Sequence, residues 1–414
     1  MFPVIIFFCI FVIKTITDMK KIAISVVLMC VGIFAFAQSK ATQVADLDYT
    51  FTTVKANPIT SIKNQASSGT CWAYSTISFL ESEAIRLCGI KDPAKYPDFS
   101  VFFTVSHSYM DRAVKFVRLD GNLAFGAGSE SEDVLHVVRD YGLVPLSEMS
   151  GMNYGTPLPA QSELDAVLKG YISAVAKNPN RKLTTAWKPG YQAVLDTYFG
   201  KYPETFEVDG KQFDPISYRD YMKIVPEDYV SITSFMCYPF YTWNPLEVGD
   251  NWRWDESFNV PIDDMMTVID NAIEKGYTVS WGTDVSHPGF TRNGLGIYID
   301  TDATVKAGSD QEHWVGKEEG KPAPISVVEK EVTQESRQFE YDNKTITDDH
   351  GMQIFGIAKD QDGKKWYMVK NSWGETGKYN GIWYCTEAFV KAQTISIMVH
   401  KTALTKDVRK KLDK

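Results

Sequence analysis

The stretch Asn64-Gln65-Ala66-Ser67-Ser68-Gly69-Thr70-Cys71-Trp72-Ala73 constrains this chain more than any other. A Gly/Ser-rich approach delivers a cysteine to the first turn of a helix that the spacing predicts over 71–88. Ala73, Ile77, Leu80, Ala84 and Leu87 keep the helical period, and Gly89 is placed to end it. The positive end of a helix favours a thiolate over a thiol, and the thiolate is the reactive form. An oxyanion forming beside that sulfur needs fixed donors. The Cys71 backbone N–H and the upstream Gln65 side-chain amide can supply them. A lone cysteine is usually a small apolar filler, and Cys88, Cys237 and Cys385 are read that way.

A nucleophilic cysteine needs a base. Of the six histidines, His350 stands out by the hairpin pattern immediately downstream of it. Met352 to Ala358 reads as a strand, Asp360-Gln361-Asp362-Gly363 as a turn, and Lys364 to Lys370 as the returning strand. If Lys359 pairs with Lys364, Met352 faces Asn371 and His350 faces Trp373. His350, Asn371 and Trp373 then share one face. An amide beside an imidazole fixes its tautomer, and an indole over the pair keeps water off their hydrogen bond. His107, His136, His287, His313 and His400 read as surface or core residues.

Helical patterns also occupy 102–118, 130–141, 161–176 and 262–275. Strand patterns fall at 278–281, 352–358, 366–370 and 382–385. Residues 177–260, rich in Tyr, Trp, Pro and Asn, read as a long insertion of loops and short elements. The fold class expected is α+β with two lobes, mainly helical over about 38–260 and mainly β over about 261–414. The chain has 414 residues, 44% of them hydrophobic, enough for a substantial core. Its net charge of −9 leaves no basic surplus for nucleic acid.

Lys20 and Lys21 precede an apolar run, Ile22 to Ala37, that closes on Ala35-Phe36-Ala37. This is the pattern of a secretory signal cleaved after Ala37, so residues 38–414 are read as an exported domain, periplasmic or secreted. No stable membrane insertion is expected after cleavage. Residues 1–18 precede Met19 and read as an upstream start. Four cysteines would remain, too few for a disulfide framework. Phe125-Gly126-Ala127-Gly128 lacks the Gly-Lys-Ser/Thr of a phosphate loop. With no His-Glu-x-x-His or paired Cys-x-x-Cys either, neither cofactor nor metal is expected.

Gln65 to Tyr74, His350-Gly351-Met352 and Lys370-Asn371-Ser372-Trp373-Gly374 together resemble the three catalytic boxes of papain-like cysteine peptidases. The long separation of Cys71 from His350 resembles the bleomycin hydrolase and bacterial aminopeptidase C subfamily. So do Tyr141-Gly142-Leu143-Val144-Pro145 and Val279-Ser280-Trp281-Gly282-Thr283-Asp284-Val285. The resemblance implies a papain-like two-lobed fold with large insertions and peptide bound between the lobes. Carried over by position, Gln65 is the oxyanion donor, Cys71 the nucleophile, His350 the base and then acid, and Asn371 the orienter, with Trp373 over the pair. Gly128 falls where the family has a Gly-Gly stretch lining the non-primed side of the cleft, and Ser129 replaces the second glycine. The family also implies a homo-hexamer whose C-terminal arm enters each active site and meets the substrate's amine. The ending Lys411-Leu412-Asp413-Lys414 departs from that arm. The activity expected is a cysteine aminopeptidase. The alternatives are an endopeptidase with an open cleft and a non-catalytic peptide-binding scaffold.

Overall fold

The computed structural model describes residues 47–180, 182–300 and 327–413; the signal-like segment and His313 lie outside them. Residues 49–298 and 329–413 belong to one compact unit. The other described residues belong to a second unit, in which the Asp300 N–H donates to the Val328 carbonyl at 2.8 Å.

The first part of the chain is helical. Strand β1 (Thr52–Ala56) precedes α1 (Cys71–Cys88), α2 (Val101–Arg118), α3 (Ser131–Tyr141), α4 (Ser162–Ala176) and α5 (Trp187–Phe199). A small hairpin, β2 (Phe206–Val208) and β3 (Lys211–Phe213), leads to α6 (Pro215–Tyr221). Then come β4 (Tyr229–Thr233), β5 (Thr242–Pro245), β6 (Glu256–Asn259), α7 (Ile262–Glu274), β7 (Val279–Thr283) and β8 (Leu295–Gly296). The last part holds α8 (Gln334–Asp342), β9 (His350–Lys359), β10 (Lys365–Lys370), β11 (Ile382–Thr386), α9 (Glu387–Gln393), β12 (Thr394–His400) and α10 (Lys406–Leu412).

Helix α1 ends on Gly89, whose φ of +66° lets its own N–H reach the Arg86 carbonyl and the Ile90 N–H reach the Ile85 carbonyl. It is buried from Trp72 to Ile85, more than one apolar stripe requires, because both sides of it are covered. One side joins a core with α2 to α5, built on Phe79, Phe102, Phe103, Ile172, Leu195 and Phe199. The other side meets the sheet through polar groups. Gln353 Nε2 donates to the Ser78 carbonyl (3.2 Å), Ser82 Oγ (2.8 Å) and Thr278 Oγ1 (3.0 Å), while Thr76 and Ser280 join hydroxyls at 3.1 Å. A polar seam of this kind specifies one docking geometry where an apolar one would tolerate slippage.

Among the described residues the main sheet has ten strands in the order β5-β6-β4-β12-β7-β9-β10-β11-β8, with β1 on the far half of β9. Helices α7, α9 and α10 contribute to its core, with Met265, Ile269, Trp281, Ile354, Val369 and Ile397. The segment 177–260 is more ordered than its composition suggests. Helix α5 opens on Trp187-Lys188-Pro189-Gly190, and proline is tolerated there because a first-turn N–H has no helical partner to lose. Strand β4 enters the middle of the sheet between β6 and β12, so strands come from both parts of the chain.

Candidate active site

Cys71 begins α1 and keeps partial exposure. Its neighbour Trp72 donates from Nε1 to the Ala127 carbonyl at 3.0 Å. A methyl group on Gly69 would stand 2.7 Å from Ala127 Cβ, so glycine lets the two segments touch. Across from Cys71, strand β9 runs against the start of α1. A methyl group on Gly351 would meet Ser75 Oγ at 2.7 Å and the Cys71 carbonyl oxygen at 3.2 Å. That glycine sets how closely His350 can approach the helix.

The β9–β10 hairpin explains how Asn371 and Trp373 reach His350. Near the turn Lys359 pairs with Lys365, one position away from the simple register expected from sequence. A bulge between Met368 and Val369 then shifts the pairing, so that Val369 faces Ile354 and Lys370 faces Gln353. Continued past the strand end, this is the register that sets Asn371 opposite Met352 and Trp373 opposite His350. His350 Nε2 and Asn371 Oδ1 are 2.8 Å apart, and the Trp373 ring lies 4.9 Å from the imidazole, centre to centre. Asn371 Oδ1 also accepts from the Ser372 N–H at 2.7 Å. That second bond fixes the amide's orientation, since its NH2 end would face another donor if reversed. Nε2 is therefore the nitrogen that carries the proton, which leaves the Nδ1 lone pair as the base. Asn371 Nδ2 is buried without a partner.

Gln65 is held by the loop that carries Asn371. Its N–H donates to the Ser372 carbonyl (2.8 Å), its Oε1 accepts from Ser372 Oγ (2.6 Å), and Asn64 forms a bridge with Trp373. Nε2 gives one hydrogen to the Ser68 carbonyl at 2.8 Å and has a second for another acceptor. Ser372, which sequence reasoning passed over, thus links the candidate oxyanion donor to the candidate orienter. Gly128 lies on the segment beside Trp72, its carbonyl accepting from Arg112. Ser129 is different: its Oγ accepts from the buried Trp252 Nε1 at 2.7 Å, which commits that hydroxyl to packing. Trp373 touches the imidazole and packs against Trp383.

Charge around the site is negative. Burial pushes the Cys71 thiol up to about 12. Hydrogen bonds from the Gly351 and Trp72 backbones oppose that rise, and the nearby Asp348 and Asp250 reinforce it. Burial lowers His350 to about 4, and its bond to Asn371 pulls it back up. At both groups burial favours the uncharged form and works against the helix end. The other described histidines sit in structural settings. His107 is stacked between Tyr141 and Tyr202, and His136 meets Asp255 at 2.8 Å.

A family model described as the Peptidase C1-like family matches residues 326–414, the segment that contains His350, Asn371 and Trp373. The chain is 23% identical over 404 residues to Aminopeptidase G of Lactobacillus delbrueckii subsp. lactis, covering 84% of this chain and 83% of that one. These two matches support a cysteine peptidase of the papain-like, bleomycin hydrolase and aminopeptidase C type. The chain is also 20% identical over 383 residues to Aminopeptidase C of Listeria monocytogenes, covering 84% and 81%. Among solved structures it is similar to the crystal structure of PepW from Lactobacillus rhamnosis HN001, with a TM-score of 0.63 and 17% identity over 91% of this chain and 86% of that one. The fold is papain-like α+β.

With His350 as the base, its lowered value would set the acid limit of activity. The base accepts the thiol proton only while neutral, so activity is present above about pH 4 and lost as pH falls through it. An unshifted histidine would place that limb near 6.5. The kcat/KM profile, with recovery at pH 7 checked after each acid exposure, should keep most of its plateau at pH 5.

Proposed function

We propose that this chain is an exported cysteine aminopeptidase that removes residues from the free N-termini of peptides. Cys71 Sγ attacks the scissile carbonyl while His350 takes its proton. The oxyanion is met by the Cys71 backbone N–H and the remaining Gln65 hydrogen. His350 returns the proton to the leaving amine, and a water activated by the same imidazole hydrolyses the thioester.

The observation that carries this reading is the 2.8 Å contact of His350 Nε2 with Asn371 Oδ1, on a strand packed against the first turn of the Cys71 helix. The aminopeptidase relatives supply the exopeptidase part. Export rests on the Lys20 to Ala37 pattern. No helix among the described residues is long and apolar enough to cross a membrane. A homo-hexamer is proposed on family resemblance, and light scattering of the purified protein tests it.

The test of the activity uses matched fluorogenic aminoacyl substrates, with and without an N-acetyl block, on protein beginning at Gln38 under reducing conditions. Turnover confined to the free amine is expected. Equal or faster turnover of the blocked substrate would overturn the aminopeptidase reading in favour of an endopeptidase.

A further inference from the structure

We propose that a cavity between α2, α4 and the segment leading to Gly128 binds a free amino acid with an apolar side chain, held as its zwitterion. The cavity has a volume of about 270 Å3, and Tyr109, Phe125, Asp165, Leu168 and Lys169 stand around it, outside the site of Cys71 and His350. Ligand pockets run from roughly 300 Å3 upward, so this one suits a single small molecule and not a peptide.

Its charged groups are placed to pair and do not. Asp165 and Lys169 are one turn apart on α4 with the acid nearer the N-terminus, the order that favours an ion pair within a helix. They make none. Among the described residues the Asp165 carboxylate has neither a hydrogen bond nor an ion pair, and burial alone raises it to about 6. Lys169 Nζ donates to the Phe125 carbonyl at 3.0 Å and keeps two further hydrogens. Tyr109, 4% exposed, and the fully buried Tyr191 on α5 add two phenol hydroxyls without hydrogen-bond partners, and both feel the Asp165 charge. A buried hydroxyl left unmet is costly.

The apolar share of the walls is Phe125, Leu168 and the Tyr109 ring. The matching ligand brings an ammonium for Asp165, an anionic acceptor for Lys169 and the phenols, and an apolar body to lie between them. A free α-amino acid meets all three demands. A simple amine would leave Lys169 and the hydroxyls unmet, and a simple carboxylic acid would leave Asp165 unmet. Aminopeptidase activity would supply this ligand as its product, although the site itself does not depend on that reading. Arg112, buried in the same wall, ties the cavity to the cleft. Its guanidinium donates to the Ala124, Gly126 and Gly128 carbonyls, and the Ala127 carbonyl accepts from Trp72 beside Cys71.

The test is calorimetry without substrate, with L-leucine and its deamino analogue 4-methylpentanoate on wild type, Asp165→Asn and Lys169→Met. On the wild type, L-leucine is expected to bind and 4-methylpentanoate to bind about tenfold or more weakly by comparison. Asp165→Asn should weaken L-leucine by about tenfold or more, and Lys169→Met by about three- to tenfold, with thermal melts confirming that both variants are folded. A wild type that gives no heat with L-leucine at about 10 mM would overturn the site. So would L-leucine affinity that both variants keep, since binding would then lie at the cleft alone. Equal affinity of the wild type for the two ligands would overturn the zwitterion. Because no turnover is read, a chain that proves to be an endopeptidase would leave each of these results standing.

Discussion

Cys71→Ala and His350→Ala are each expected to lower kcat/KM by about 10,000-fold or more, and the double variant to be no slower than either alone. Burial pushes Cys71 up to about 12 and His350 down to about 4, which favours the uncharged form of each. Neither group does its work without the other, because the sulfur becomes a strong nucleophile only as the imidazole takes its proton. Removing one partner therefore removes the function of both, and the second substitution has nothing left to take. Asn371→Ala should cost less, since it leaves nucleophile and base in place and frees only the ring orientation that Oδ1 fixes at 2.8 Å. The check is steady-state kinetics on the two singles and the double, with thermal melts to confirm that each is folded. Losses that multiply in the double variant would mean that Cys71 and His350 act independently, and would overturn the pairing.

The parts of this architecture that were legible in sequence are those whose signals are local. Helix α1 carries its stop at Gly89, and the hairpin carries its turn at Asp360 to Gly363. Asp360 Oδ1 accepts there from the N–H groups of Asp362 and Lys364 at 3.0 and 2.9 Å. The meeting of His350, Asn371 and Trp373 could be read from strand periodicity, although the route to it could not. The register starts one residue off and is restored by a bulge beside Gly356, which no propensity marks. Strand β12 alternates Ile395, Ile397 and Val399, so its pattern alone could have found it. Asp250 is the opposite case: it lies in a Tyr/Trp/Pro-rich stretch, far in sequence from both Cys71 and His350. A methyl group on Gly128 would stand 1.8 Å from its Oδ2, so the two approach closely across a bare backbone. Long-range approach of this kind leaves a glycine in the sequence but does not say what will sit on it.

Glu81→Ala is expected to destabilise the protein by about 3–5 kcal/mol, because it strips the anion from a buried cluster and leaves the cations behind. Glu81 is fully buried in α1. It accepts from Lys63 Nζ (2.6 Å), from the Phe99 N–H (2.9 Å) and from the Thr60 hydroxyl. That hydroxyl in turn accepts from Lys370 Nζ at 2.9 Å. Lys63 has a second partner in Asp98 at 2.6 Å. Lys370, 4% exposed and one residue before Asn371, reaches Glu81 only through the Thr60 hydroxyl. Burial already lowers Lys370 to about 8, with Glu81 holding it up and Lys63 pushing it down. Between about pH 8 and its unfolded value near 10.4, the unfolded chain holds a proton on this lysine that the folded chain has released. Folded stability from this group therefore rises with pH across that window. Without Glu81 the folded value drops further and the window opens at lower pH. Lys63 is lowered by burial but raised overall by Glu81 and Asp98, so it keeps that pair's stabilisation up to its unfolded value near 10.4 and leaves the trend below about pH 10 to Lys370. The gap between wild type and Glu81→Ala should thus be widest near neutral pH and narrow toward about pH 10, as read by denaturant unfolding at several pH values. Adding Lys370→Met should recover part of the loss at neutral pH. A gap that stays constant with pH, or a double variant no better than Glu81→Ala, would assign the cost to packing around Glu81 and leave the stranded charge without a role.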